Sequence, residues 1–526
     1  MPLQSFAHSL SRTLFRLTSI AGYAALLASC GGGGGSSGGS PFDIGLPSAA
    51  SLAQECAAPR PAGTIDPFTK APYGDVQGSL ATETAFLRSW IDETYLWYQD
   101  VRVLPATTLD ATAYTTTLAY FKALKTPLVT ATGKPKDQFH FTYDTPSWVA
   151  LATSGNSFGY GFQIALINAK PTPANPNRIA IVAYLEPGAT PASGSGIARG
   201  ASILTVDGVD LAQGTDVATL NAGLFPSSPG THTFVIRDAN TAGSHSVTLT
   251  ATTITETPVQ SVMKLPAPNA SVGYMLFNDH IATAESELVA AVNQLKSLGV
   301  TDLVLDLRYN GGGYLDIAAE LAYMIAGPTN TNGKVFERLS FNNRNPFPAS
   351  TTSFLSTSQG FSPALLPSGQ ALPHLDLNRV FVLTSGDTCS ASEAIVNGLR
   401  GAGVTVHLIG ATTCGKPYGF YPRDNCNTTY FAIQFQGVNN IGFGDYADGF
   451  IPTCAVADDF TRALGDPLEN QLEVALAFRN NGGTCVPPTS SARLRGLGAD
   501  QRFADAPAGA VLVRSPFREN RIYRPQ

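Results

Sequence analysis

The sequence contains few charged residues and no excess of basic ones. Only 14% of the 526 residues are Asp, Glu, Lys or Arg, and the formal net charge at pH 7 is -6. A nucleic-acid-binding surface requires a basic patch or stripe, which this composition does not supply. The CxxC spacing typical of a structural zinc site is also absent from the sequence. We therefore expect no nucleic-acid partner, no metal and no cofactor.

Long apolar runs are scarce as well. Beyond residue 30, no stretch approaches the roughly 20 apolar residues that a membrane-spanning helix requires. Residues 1–30 place two arginines before a short apolar run and end in LASC, a pattern that is typical of a secretory signal and resembles the bacterial lipobox. The resemblance implies that Cys30 becomes the lipidated first residue after cleavage. The alternative, a buried apolar helix with a chance cysteine, is disfavoured by the Gly/Ser-rich residues 31–50, which are predicted to form a flexible tether.

We therefore expect a bacterial cell-envelope protein that is held to a membrane by its N-terminal lipid and faces the periplasm. The cysteines fit this location. Besides Cys30 there are six, an even number that predicts disulfide bonds in an oxidising compartment. The sequence does not choose among the possible pairings: Cys414 can be joined to Cys389 and equally well to Cys426.

Hydrophobic spacing divides the rest of the chain into three regions and a tail. Residues 51–150 carry apolar side chains at three- and four-residue steps and are predicted to form a small helical domain. Residues 151–257 contain short apolar or alternating runs separated by Gly and Pro, the pattern of a β-rich unit. In residues 258–480 apolar strands alternate with helices, which indicates an α/β core. Residues 481–526 form a C-terminal tail.

Two serines, Ser390 and Ser392, stand where the segment SGDTCSASEAIVNGLRG is predicted to begin a helix. In a helix they would lie about 200° apart around the axis and could not face the same catalytic partner. A serine at a helix N-terminus usually acts as a cap, whereas a nucleophilic serine needs a base. The histidines offer no recognisable catalytic setting. Lys416, in ATTCGKPYG, could serve as the base if burial lowers its pKa towards neutrality.

Four motifs in a fixed order favour the catalytic interpretation. They are DLRYNGGG (306–313), CSASE (389–393), TTCGK (412–416) and DGFIP (448–452). Together they resemble the C-terminal processing peptidases, also called tail-specific proteases, over roughly residues 80–480. The resemblance implies a crotonase-like α/β core and a serine peptidase mechanism.

The same resemblance assigns roles to individual residues. It implies that Ser390 is the nucleophile and Lys416 the general base. It implies that the backbone N–H groups of Ala391 and Gly312 form the oxyanion hole, where developing negative charge needs preorganised donors. Glu393 and Thr413 match positions that support the site.

A further resemblance lies in the β-rich region. FGYGFQI (158–164), followed by SGIARGASILTVDGV (195–209), resembles a PDZ domain. This implies that the backbone at Tyr160, Gly161 and Phe162 receives a peptide carboxylate while the peptide adds a strand to the sheet. The sequence departs from many PDZ domains at Ala201, where they have Asp. The alternative is a β-domain that merely packs against the core.

Two departures from the peptidase pattern bear on the mechanism. Gly401 stands where many relatives have Asp, and Phe420 where many have Gln, so the sequence predicts a Ser–Lys dyad without an evident third member. We therefore expect an envelope-anchored serine endopeptidase, a hydrolase that cleaves protein or peptide substrates and captures their C-terminal tails. One alternative is a catalytically silent, PDZ-containing binding lipoprotein. Another is a hydrolase or carrier with the same core that acts on something other than peptide.

Overall fold

The computed structural model describes residues 45–167, 177–188, 190–489 and 521–522. The predicted signal peptide, Cys30 and most of the predicted tether lie outside these residues. Among the described residues, no helix combines the length and apolar character needed to cross a membrane. The described residues from Pro47 onward belong to one compact unit.

The first region is mainly helical, as its three- and four-residue spacing predicts. Its helices are α1 Ala49–Leu52, α2 Leu80–Thr94, α3 Tyr98–Arg102, α4 Ala106–Leu109, α5 Thr117–Ala123 and α6 Thr145–Ser154, and its strands are β1 Glu55–Cys56, β2 Val76–Gln77 and β3 Phe141–Asp144. Trp90 of α2 and Phe121 of α5 belong to the same buried apolar cluster as Leu315 and Ile395 of the α/β region. The first region therefore shares the core of the α/β region, although it is predicted as a domain of its own.

The second region contains the strands predicted from its short apolar runs. The strands are β4 Asn156–Gly159, β5 Phe162–Ile167, β6 Ile179–Leu185, β7 Ser202–Val206, β8 Val209–Asp210, β9 Thr231–Arg237, β10 His245–Thr250 and β11 Thr252–Thr255, and the helices are α7 Pro191–Gly194 and α8 Val217–Leu224. The main sheet has the order β10–β9–β7–β6–β5, with β8 paired to β7. It encloses a separate apolar cluster that includes Leu220 and Phe234.

The third region alternates strands and helices. The strands are β12 Val259–Lys264, β13 Val272–Phe277, β14 Asp302–Asp306, β15 Gly313–Tyr314, β16 Val335–Phe341, β17 Ser350–Ser353, β18 Arg379–Thr384, β19 Thr405–Gly410, β20 Tyr418–Gly419, β21 Arg423–Asn425, β22 Thr428–Phe431, β23 Phe435–Val438 and β24 Cys454–Ala455, and the helices are α9 Ala284–Ser297, α10 Leu315–Thr331, α11 Ala391–Gly401 and α12 Asn470–Asn480. A last strand, β25 Arg521–Ile522, pairs with β15.

The central sheet has the order β12–β13–β14–β18–β19–β24. Its strands from β13 to β24 are parallel, and β12 is antiparallel to β13. Because successive side chains of a strand point to opposite faces, Leu305 enters the large core with α10 and α11, while Val304 enters a second core with α12. Helices thus cover both faces, and the predicted α/β organisation is confirmed, whereas the crotonase-like assignment stays a prediction.

The parallel order brings three of the motifs together. The NGGG segment follows β14, the CSASE segment follows β18, and the TTCGK segment follows β19. These strands are neighbours in the sheet, so their carboxyl ends lie at one edge, where α/β proteins usually place their ligands.

Candidate active site

Ser390 stands immediately before α11 in a backbone conformation that non-glycine residues rarely adopt. Its φ is 59° and its ψ is -112°. Such outliers cost free energy and concentrate at functional sites. The residue is completely buried, and its Oγ has no hydrogen-bond partner in the part of the chain that the structure describes. The hydroxyl of Ser390 is therefore not used as a helix cap.

Ser392 has a different environment. Its Oγ donates to the carbonyl oxygen of Asn310 at 3.1 Å, which ties the first turn of α11 to the NGGG loop. Cys389 supports the same loop, because its N–H donates to that carbonyl at 3.1 Å. The two serines thus differ: the Ser392 hydroxyl ties α11 to the loop, and the Ser390 hydroxyl is unsatisfied among the described residues. Their catalytic and structural roles stay predictions.

Lys416 is completely buried. Its Nζ lies 4.4 Å from the ring centroid of Phe420 and 4.7 Å from that of Phe139. Phe420 therefore covers the amine at the position where many relatives have Gln. A side chain at Gly401, the other departure, would meet Asn439, because an added Cβ would lie 2.8 Å from the Asn439 Cβ.

Glu393 connects the two halves of the predicted dyad. Its Oε2 accepts hydrogen bonds from the backbone N–H groups of Ser390 at 2.9 Å and Lys416 at 2.8 Å. Its Oε1 accepts from the Thr413 hydroxyl at 2.6 Å and from the Gly415 N–H at 2.9 Å. Burial raises the pKa of this carboxyl, against four hydrogen bonds that favour its charged form. Glu393 therefore fixes the nucleophile segment to the lysine loop.

Thr413 extends these contacts to the DGFIP motif. Its hydroxyl accepts from the Phe450 N–H at 2.7 Å, and its own N–H donates to the Phe450 carbonyl at 3.2 Å. The two loops approach so closely that a Cβ at Gly449 would lie 2.1 Å from the Thr413 carbonyl oxygen. The fourth motif thus supports the lysine loop.

A disulfide joins Cys389 to Cys414, which chooses one of the two pairings that the sequence left open. The other bridges are Cys56–Cys426 and Cys454–Cys485. Cys389, Cys414 and Glu393 are close enough to hold a metal ion. As a disulfide, however, the two sulfurs are not thiolate ligands, and the bridge instead links the segments that carry Ser390 and Lys416.

The two predicted oxyanion donors differ in availability. Ala391 is the first residue of α11, and the first N–H groups of a helix have no acceptor within it. The N–H of Gly312 donates to the Asn310 Oδ1 at 2.9 Å. Gly312 could serve an oxyanion only by leaving Asn310, so its role stays a prediction.

His280 is a buried neighbour of this loop that sequence reasoning missed. The Asn310 Nδ2 donates to the Phe277 carbonyl at 2.9 Å, which leaves the Asn310 Oδ1 as the acceptor. The His280 Nδ1, 3.0 Å away, must therefore carry a proton. Burial lowers the pKa of His280 to about 3, so the ring is neutral. No sequence motif marks this residue.

A buried ion-pair network lies directly before the NGGG turn. Arg308 donates to Glu469 at 2.8 and 2.9 Å, to Asp458 at 2.7 Å and to Asp306 at 3.0 Å. Arg199 of the second region donates to the same Asp458 at 2.7 Å and to the Tyr309 hydroxyl at 2.6 Å. The network therefore joins the second region to the loop that carries Gly312.

The predicted peptide-binding residues lie in the second region, on a different sheet from the dyad. The Tyr160 ring is buried, and its hydroxyl donates to the Gly223 carbonyl at 2.9 Å. Gly161 has a φ of 83°, and a Cβ there would lie 2.3 Å from Thr190. Phe162 begins β5, the last strand in the order of its sheet. The Tyr160 side chain is thus committed to the interior, and its carbonyl accepts from the Ala192 N–H at 2.9 Å, so peptide binding at these residues stays a prediction.

Comparison with known proteins tests the family resemblance. Residues 271–424, which include Ser390, Lys416 and the NGGG turn, match the model of peptidase family S41. These residues are therefore similar to the S41 peptidase domain. The matched segment covers most of the central sheet and the predicted dyad, and ends before DGFIP.

Two curated relatives of the S41 domain are carboxyl-terminal-processing proteases. One, from Picosynechococcus, is 29% identical over 274 residues, which cover 51% of this chain and 56% of the relative. The other, from Synechocystis, is 28% identical over 269 residues, which cover 51% of this chain and 54% of the relative. The chain thus spans about half the length of the curated relatives it matches. The predicted relationship to the C-terminal processing peptidases is confirmed.

A solved structure shares the fold. A Bacteroides fragilis protein assigned to the S41 proteases superposes with a TM-score of 0.56 at 24% sequence identity, covering 78% of this chain and 99% of that one. The similarity therefore extends beyond the S41 domain to most of the described chain.

Proposed function

We propose that the protein is a serine endopeptidase that cleaves protein or peptide substrates with Ser390 as nucleophile and Lys416 as general base. The observation that carries this proposal is the unsatisfied, buried hydroxyl of Ser390, held on an outlying backbone conformation. The shared acceptor Glu393 and the Cys389–Cys414 bridge bring the lysine segment to it. The S41 domain supports peptide chemistry.

The proposed reaction uses one proton twice. Neutral Lys416 takes the proton from the Ser390 hydroxyl as its oxygen attacks the peptide carbonyl, and later gives it to the leaving amine. Complete burial favours the neutral form, because desolvation penalises an ammonium ion, whereas the ring faces of Phe420 and Phe139 beside Nζ favour the charged form.

The oxyanion of the intermediate would form at the N-terminus of α11. The Ala391 N–H and the positive end of the helix favour negative charge there. The second donor is proposed to be Gly312, after a substrate carbonyl draws its N–H away from Asn310. In this step the Gly312 N–H would exchange the Asn310 Oδ1 for the oxyanion as its acceptor.

We further propose that the second region is PDZ-like and captures C-terminal tails. The left-handed Gly161, the sheet-end position of β5 and the adjacent helix α8 support a carboxylate-binding loop. A peptide with a free C-terminal carboxylate should bind more tightly than its amidated twin in a calorimetric titration. Equal affinities would contradict carboxylate capture.

The location at the cell envelope is also a proposal. Three disulfides support an oxidising compartment, and the LASC sequence supports lipidation at Cys30. Cys30→Ser should release the protein from the membrane fraction. Retention of that variant after a salt wash would contradict the anchor.

The competing proposal is a binding lipoprotein with a silent peptidase fold. The two proposals differ in whether the Ser390 hydroxyl attacks a peptide bond. To test this, a panel of unfolded polypeptides and tail peptides is incubated with the wild-type protein and with Ser390→Ala. Cleavage by the wild type alone supports the peptidase. Binding of tail peptides without cleavage by either protein supports the silent alternative.

A further inference from the structure

The strand that begins within the NGGG turn has a partner from far along the chain. β25 runs parallel to β15, with Gly313 opposite Arg521 and Tyr314 opposite Ile522. Thirty-one residues separate Thr489 from Arg521, a length that can span roughly 100 Å. The length of this connection therefore does not force β25 to lie beside β15. The pairing has to be explained by the contacts that β25 makes there.

β25 lies near both segments that carry the proposed chemistry. It pairs with β15, which begins at the last glycine of NGGG. It also has Cα atoms within 8 Å of β20, which begins two residues after Lys416. An extended polypeptide presented to Ser390 and Lys416 would have to approach these same segments.

The pairing uses backbone groups that would otherwise remain unsatisfied. The His280 N–H donates to the Gly312 carbonyl at 3.1 Å, and the Tyr314 N–H donates to the His280 carbonyl at 2.9 Å. Because successive peptide groups of a strand point to opposite sides, the N–H and carbonyl of Gly313 face β25. The parallel register then makes the Ile522 N–H the donor to the Gly313 carbonyl.

Gly313 is suited to this double pairing. Its φ is 136°, and a Cβ would lie 2.5 Å from the His280 carbonyl oxygen. The neighbouring Tyr314 also lines a cavity of about 250 Å³ together with Phe68, Tyr73 and Trp148. An extended chain on β15 would therefore pass an apolar cavity that can take a side chain, the combination by which strand addition gains both affinity and specificity.

We propose that β15 is the edge on which an extended polypeptide is held for cleavage, and that β25 is a resident occupant of this edge that competes with substrate. The second part rests on the peptidase function proposed above. Because β25 belongs to the same chain, its effective concentration does not fall on dilution. Saturating substrate still displaces it, so the competition raises KM and leaves kcat unchanged.

The first test measures the pairing without any catalysis. In a Ser390→Ala background, Ile522→Pro removes the N–H that donates to the Gly313 carbonyl. Loss of this bond should release the two-residue strand and with it the Gly313 N–H, whereas Ile522→Val keeps the pairing. Hydrogen–deuterium exchange at the Gly313 amide, read by mass spectrometry with fragmentation to single residues, should quicken at least fivefold in the proline variant and stay unchanged in the valine control. Equal protection in both variants would overturn the placement of β25 on β15.

The second test measures competition in the otherwise unchanged protein. Ile522→Pro should lower KM for a peptide substrate at least threefold at constant kcat, while Ile522→Val should match the wild type. An unchanged or higher KM would overturn the competition. If neither the wild type nor these variants cleaves peptide, the proposed peptidase function fails, and the exchange measurement still decides the strand pairing.

Discussion

The candidate active site, which comprises Ser390, Lys416, Glu393 and the nearby His280, and the network around Arg308 are both buried, but they differ in how their polar groups are satisfied. Each guanidinium nitrogen of Arg308 has a carboxylate partner, and Asp458 also receives Arg199. In the candidate active site, the Ser390 Oγ and the His280 Nε2 have no hydrogen-bond partner among the described residues. Since an unsatisfied buried polar group costs free energy, the difference indicates which region holds shape and which retains groups for a reaction.

The largest expected effect comes from substitutions of the proposed dyad. Ser390→Ala and Lys416→Met should each lower kcat/KM by at least about 10⁴-fold, and the double variant should be little worse than either, because the two residues act as one unit. The melting temperature of Ser390→Ala should stay the same or rise slightly, since an unsatisfied hydroxyl is lost. Peptide cleavage and thermal melting measure both quantities.

Ser392→Ala is the matched control for this change. It should keep a measurable rate and lose about 1 kcal/mol of stability, because it removes the hydrogen bond to Asn310. Loss of cleavage only in Ser392→Ala would mean that the nucleophile has been assigned to the wrong serine.

The second expected effect breaks the network. Arg308→Met leaves Asp306, Asp458 and Glu469 buried without their shared cation, which should lower the free energy of unfolding by about 3–5 kcal/mol. Arg379→Met is the control, because that side chain is half exposed and Asp302 retains Arg479, so the loss should be under about 1 kcal/mol. Similar denaturation midpoints for the two variants would show that the network does not hold the fold.

The third prediction concerns Glu393 and separates its contribution to stability from its contribution to catalysis. In Glu393→Gln an NH2 group replaces one carboxylate oxygen, so a donor faces the hydrogen-bond donors that this oxygen had accepted. The change should lower kcat about 10²- to 10³-fold. Glu285→Gln is a matched control, because Glu285 accepts from the N–H groups of Gln359, Gly360 and Phe361 away from the dyad. It should lose comparable stability and keep kcat. Equal losses of kcat in both would show a general folding defect.

The sequence predicted the local parts of the site. Apolar strands that alternate with helices were recognisable in residues 258–480, and helical geometry separated Ser390 from Ser392, whereas the shared sheet edge of three motifs follows from the strand order of the structure. The first two features depend on a few consecutive residues. For the same reason the helices and strands of the three regions were predictable, although their domain boundaries remain predictions.

The contacts between distant segments could not be predicted. The ring of Phe139 lies against the Lys416 amine although the two residues are 277 positions apart in the chain. Likewise, Arg199 of the second region donates to Asp458, which is 259 positions later. Such contacts depend on how the regions pack, which hydrophobic periodicity does not encode. The neutral, buried state of His280 likewise follows from tertiary burial and leaves no pattern in the sequence.

The smallest expected effect concerns a third arrangement, a buried carboxyl without a cation. Glu186, after β6, accepts from the Thr257 N–H at 2.8 Å where the second region joins the central sheet. Burial, with repulsion from Glu256, raises its pKa from 4.5 to about 8. Because the folded pKa is the higher one, its stabilising contribution is complete below about pH 4.5 and is lost as pH rises towards 8.

Glu186→Gln, which stays neutral, should therefore flatten the fall in unfolding free energy between pH 5 and 8 by at least about 1 kcal/mol, measured by chemical denaturation. Asp216→Asn is the control. Asp216 is an exposed helix cap, and hydrogen bonds from Thr219 lower the pKa of its carboxyl. Because this carboxyl is charged throughout pH 5 to 8, the pH dependence of unfolding free energy in the variant should match the wild type. An unchanged slope in Glu186→Gln would mean that Glu186 is charged in the folded protein across this pH range. The carboxyl would then resemble the charged, fully hydrogen-bonded carboxylates around Arg308, and not the unsatisfied groups of the candidate active site.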